Sequence, residues 1–145
     1  YKNIINIIII IIINMEKKTT LNRAFNTLFF NFLEDIISIY PDNTEICVAK
    51  TSFETFKKLN PTIIIKAWYS YVYLPYKDII ETGNITFFFE KNYQEDLQYL
   101  ANSNDIIKVI DKIREPIRNM DEVNQKHSMK YIQNLCKLSD SYNSL

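Results

Sequence analysis

The sequence is poor in the residues that make tight turns. Its 145 residues include one glycine, Gly83, and four prolines. A β-sandwich or barrel needs many tight turns, and a single glycine supplies few of them. The same scarcity excludes glycine-rich phosphate loops, which need two or three glycines within a short span. There is one histidine, His127. Any Ser–His–Asp or Cys–His arrangement would have to use it, and so would any zinc site with a histidine ligand. Cys47 and Cys136 are the only cysteines, too few for a disulfide framework. They read as two partly buried small hydrophobes in a reducing compartment. Charge is balanced, with 17 Lys and Arg against 17 Asp and Glu. A general nucleic-acid coat protein or membrane-surface binder would be basic.

Hydrophobic residues are plentiful. They make up 47% of the chain, which argues against wholesale disorder, and the length is that of one domain. The most unusual stretch is residues 1–14, nine of them isoleucine and only Lys2 charged. Its apolar part is about half the roughly 20 residues a membrane span needs. A signal peptide would continue into small residues, whereas Met15, Glu16, Lys17 and Lys18 follow here. The preferred reading is that residues 1–14 are an upstream or disordered segment, with translation beginning at Met15. If present, the run is β-prone and an aggregation hazard, or a weak membrane or partner anchor. Residues 15–145 then form one helical domain with a frayed C-terminal tail.

Periodicity beyond Met15 is helical. Leu21, Phe25, Leu28, Phe29, Phe32, Leu33, Ile36 and Ile37 lie on one wide stripe, with Thr19 or Thr20 as cap and Pro41 as stop. A second helix fits residues 45–59, capped by Thr44, with Ile46, Ala49, Phe53 and Phe56 inward. Asn60-Pro61 reads as the cap and first residue of a third. Ile63, Ile64, Ala67, Trp68, Tyr71 and Leu74 would face its core until Pro75 interrupts. Gly83 suits a stop with positive φ. Residues 85–89 could be a short extended segment, and residues 96–101 a short helix. Ser103 caps a helix with Ile106, Ile107, Val109, Ile110 and Ile113 inward, kinked or restarted at Pro116. Asp121 caps the last helix, where Val123, His127, Tyr131, Leu135 and Leu138 align. The expected fold is all-α, a compact single-domain bundle of about five to six helices.

Chemistry is harder to find. His127 reads as a buried or half-buried structural residue. The carboxylate pairs Glu34-Asp35 and Glu95-Asp96 diverge by about 100° on a helix and read as solvated faces. No catalytic, metal-ligating or cofactor-binding set is expected. Two surfaces invite a partner. Tyr69, Tyr73 and Tyr76, spaced i, i+4 and i+7, read first as core packing, then as a protein interface and last as a base-stacking platform. Lys108, Lys112, Arg114 and Arg118 alternate with Asp111 and Glu115, either as helix-surface ion pairs or as a charged partner face.

Two stretches carry a resemblance. Residues 59–76 (LNPTIIIKAWYSYVYLPY) hold Asn60-Pro61 and then Leu74-Pro75-Tyr76. Residues 110–139 hold Arg114-Glu115-Pro116-Ile117, then Tyr131-Ile132-Gln133-Asn134-Leu135 and Leu138-Ser139. In these the chain resembles a group of small helical proteins of nucleocytoplasmic large DNA viruses. The resemblance implies a non-enzymatic structural or assembly protein of the virion or host cytoplasm. Its partners would be viral proteins or further copies of itself. The alternative is an accessory factor of replication or transcription that binds nucleic acid directly or through an enzyme. Neither reading implies a small-molecule substrate, a transmembrane span or secretion.

Overall fold

The computed structural model describes residues 2–86 and 104–145; for 104–108, 110 and 111 the backbone alone is described. The expected segments at 87–89 and 96–101 and the Ser103 cap lie outside these residues. The described chain is helical throughout, in the order α1 (Lys2–Ile39), α2 (Thr44–Leu59), α3 (Ile63–Trp68), a π-helical turn (Tyr69–Tyr73), α4 (Leu74–Glu81), α5 (Asn104–Arg118) and α6 (Glu122–Asn143). Among the described residues there is no strand. The all-α bundle expected from periodicity is what forms.

α1 is the axis of the bundle. Phe25, Phe29, Phe32, Leu33 and Ile36 are buried along one stripe, which packs chiefly against α6. Phe25 and Phe29 both meet Trp68 edge to face at 6.2 Å, and Phe29 meets Phe53 at 4.7 Å. The phenylalanines of the α1 stripe are therefore covered by α2 and α3. Each buried large side chain stabilises by about 1.5–3 kcal/mol. The exposed ion pairs Glu115–Arg118 and Glu122–Lys126 contribute at most about 1 kcal/mol each. Burial decides this fold.

Several boundaries differ from the sequence expectation. α1 begins at Lys2 rather than after a cap at Thr19 or Thr20, and residues 2–14 are helical and continuous with the domain. Thr19 and Thr20 sit inside that helix, where their hydroxyls donate to the carbonyls of Met15 and Glu16 at 3.0 Å. Such back-bonding satisfies the hydroxyl without ending the helix. Asn43 is the cap of α2, its Oδ1 accepting from the amides of Glu45 and Ile46. Asn60 caps a turn through Pro61 and Thr62, and α3 starts at Ile63.

Pro75 does not interrupt the third helical stretch. Residues 63–81 run on through the π turn, where the Leu74 amide reaches back to the Tyr69 carbonyl. A proline ring presses on the carbonyl four residues earlier, and the wider π turn relieves that clash. The turn holds about one residue more than an α turn and rewinds the face. Val72, Tyr76 and Ile80 therefore continue the buried side of Ile65 and Trp68, while Leu74 is 47% exposed. Gly83, at φ +77°, ends α4 as expected. The Ile80 carbonyl at that end accepts from Gln133 of α6 at 2.9 Å.

Pro116 lies inside α5, which continues to Arg118. Carbonyls left at that end, those of Ile117 and Arg118, accept from the Gln125 side chain. α6 is capped by Asp121, whose carboxylate accepts from the Asn124 amide at 2.8 Å. It runs past Leu138 to Asn143, so the tail is not frayed: Ser139 and Tyr142 are buried, and Lys18 of α1 sits 5.0 Å over the Tyr142 ring.

Candidate interaction sites

The three tyrosines separate. Tyr69 and Tyr73 stack at 5.4 Å and are half-buried beside the π turn. Tyr76 lies in the core at 1% exposure and is not on that face. The rewinding at residues 69–73 causes the split. The Tyr73 hydroxyl is held above the ordinary tyrosine range by burial and then by the charge and hydrogen bond of Asp140. Its immediate surroundings are polar, with Lys77, Glu81 and Lys137 lining a small cleft beside it.

The charged face of α5 is partly described. Lys112 is exposed, Arg114 half-buried, and Arg118 pairs with Glu115 at 3.7 Å. The side chain of Lys108 lies outside the described ones. The helix packs on α2.

His127 is exposed, contrary to expectation. The buried side of α6 is set by Ser128, Met129, Ile132, Leu135, Cys136 and Ser139; of the expected line Leu135 is buried, Tyr131 and Leu138 are half-buried, and Val123 and His127 are exposed. His127 shares a shallow cleft of about 290 Å³ with Asp35 and Tyr131. There the Tyr131 hydroxyl donates to the Asp35 carboxylate, joining α6 to α1. That hydrogen bond, with burial and the Asp35 charge, pushes the phenol up to about 12. A phenol so held is no base at neutral pH; the contact is a tie between helices. The two thiols are free: Cys47 is exposed and Cys136 buried. Burial pushes the Cys136 thiol up to about 12, against the hydrogen bond from Trp68 Nε1 at 3.3 Å that lowers it. A thiol that stays protonated is a poor nucleophile. Among the described residues no cluster of three or more His, Cys, Asp and Glu side chains could hold a metal ion.

Two features emerge that the sequence reading passed over or left open. The first is the start of α1. Its nine isoleucines, Ile4, Ile5 and Ile7 through Ile13, are each 44–61% exposed, and they point to every side of the helix. Soluble chains rarely leave a contiguous apolar surface of this kind in water.

The second is a groove of about 670 Å³ between α1 and α2, closed at one end by Pro61. Asn22 and Asn26 form part of its wall, and both donate Nδ2 to the Pro61 carbonyl at 3.1 Å. Their two amide oxygens are buried without a hydrogen-bond partner. An unpartnered buried carbonyl costs about 1–3 kcal/mol, and among the described residues these two are the buried side-chain polar atoms left without a partner. Farther along, Lys50 lies between Glu34 at 3.4 Å and Glu54 at 3.9 Å. At the Pro61 end stand Arg23, Lys57 and Lys58, with Lys57 5.4 Å over the Phe30 ring. Asn22 and Asn26 are one turn apart, a spacing visible in the sequence, but nothing local reveals that both turn toward Pro61.

The fold and these surfaces define an all-helical bundle with an apolar arm and a polar groove. No family model, curated protein or solved structure matches the chain.

Proposed function

We propose that the protein is a non-enzymatic structural or assembly protein that acts through protein–protein contacts, first of all with further copies of itself. The isoleucine arm of α1 carries this reading. It leaves on the order of 800 Å² of apolar surface spread around the helix, so a standard-size interface of about 800 Å² a side would draw on contacts at more than one face. No charge lies between Lys2 and Glu16, so two arms can pack without burying one. A surface complementary to itself is what a symmetric interface requires. Among the described residues no helix is long and apolar enough to cross a membrane. The resemblance to viral proteins makes an assembling particle the setting.

Quantitative mass spectrometry of purified particles from the presumed viral source, against infected-cell lysate, tests the setting. The expected result is enrichment in particles at a fixed ratio to the major coat protein. Abundance in the cell with absence from particles would contradict it. The same peptides test the surface itself: they should extend upstream of Met15. A mature chain that begins at Met15 lacks the arm and would overturn the reading.

A further inference from the structure

We propose that the groove between α1 and α2 docks an extended, acidic segment of a partner protein. This extends the assembly reading and rests on it only in taking the partner to be a protein.

Shape comes first. Along α1 the groove wall runs from Thr19 to Glu34. At 1.5 Å per residue that is roughly 22 Å, the span of six or seven residues of extended chain. A compact ligand would fill only part of it.

Charge selects the occupant. Lys50 is held by Glu34 and Glu54, so that end of the groove is close to neutral or slightly negative. Arg23, Lys57 and Lys58 at the other end have no carboxylate partner among the described residues, in a chain whose net charge is zero. A nucleic-acid strand carries negative charge along its whole length and would meet Glu34 and Glu54 unfavourably. A peptide acidic at one end matches the polarity of the groove.

The wall completes the argument. Asn26 is 4% exposed and belongs to the groove lining, yet its amide oxygen has no partner, and neither has that of Asn22. An acceptor pair left open wants N–H donors, and an extended backbone brings them at regular intervals. Both amide nitrogens are already held by Pro61, so the oxygens are the ends left for an occupant. Both oxygens are buried, so an occupant reaches them only as the amides turn, exchanging their hydrogen bonds to Pro61 for bonds to its own backbone.

A displayed library of random heptapeptides, selected on the full-length protein, tests this directly. The expected result is enrichment of peptides rich in Asp and Glu at one end. The best of them, made synthetically and labelled, should lose at least tenfold in affinity to a K57E/K58E variant and weaken as salt rises from 50 to 200 mM. N26A should weaken binding as well; helicity and melting temperature of both variants, measured alongside, separate loss of binding from loss of folded protein. Failure to enrich acidic peptides would overturn the proposal. So would binding that K57E/K58E leaves intact, or tighter binding of a single-stranded oligonucleotide than of any selected peptide. None of these outcomes touches self-association through the arm, which lies at least a turn before the groove on α1.

Discussion

Gly83 was legible at the scale of one residue because it is the only glycine and follows a helical run. Its φ of +77° favours glycine, and the space where a Cβ would stand is open, with Gln133 Nε2 3.9 Å away. Strain alone therefore sets the cost of Gly83→Ala, about 1–2 kcal/mol, measurable by urea unfolding. The hydrogen-bonded Tyr131 hydroxyl and the buried Cys136 thiol give a second prediction. Tyr131 and Cys136 have folded values of about 12, above the ordinary 10.0 and 9.0. Between those limits the unfolded chain loses protons that the folded chain keeps. Stability is complete below about pH 9 and falls as pH rises toward 12. Unfolding midpoints from pH 8 to 12 should decline accordingly. Tyr131→Phe removes one titrating group and should flatten the upper part of that decline; an unchanged profile would contradict the assignment. Neither effect was legible in sequence, because Asp35 and Tyr131 meet only through the packing of α1 on α6.

At the scale of the element, helix identity was written in the apolar spacing, while helix phase was less so. In α6 the eye follows Val123, His127 and Tyr131, because they are large. The side that α1 and α3 approach is instead rich in small residues, Ser128, Cys136 and Ser139, which let helices come close. Apolar periodicity does not register them. The difference is measurable. Leu135→Ala, at a fully buried position, should cost about 2–5 kcal/mol. Val123→Ala, at 64% exposure, should change stability by no more than about 0.5 kcal/mol. Equal losses would mean the helix is turned the other way. The π turn was hidden for a related reason. Pro75 announces trouble for an α-helix, but whether the chain stops or widens depends on the core waiting for Val72, Tyr76 and Ile80. The caps at Asn43, Gly83 and Asp121 are local chemistry and were nearly in place from sequence; Thr44 for Asn43 was an error of one residue.

At the scale of the whole molecule, the core and the surfaces separate cleanly. Of the tyrosines that suggested a partner, Tyr76 is spent inside, while Tyr69 and Tyr73 are half-buried. Among the described residues the surfaces proposed for partners are the isoleucine arm and the groove farther along α1. The arm was visible as a sequence anomaly, but as a helix it offers an apolar surface on every side. The groove was not visible, since it joins residues of α1 and α2 to the turn at Pro61. The most direct test of the central claim is sedimentation velocity of the full chain over a concentration series, beside an I8K/I11K variant. Both substitutions lie on the arm, away from the core, and should leave helicity and melting temperature unchanged. The expected result is a defined oligomer for the full chain that the variant loses, sedimenting as a monomer. A full chain that stays monomeric at tens of micromolar, or a variant that associates as strongly, would contradict the account.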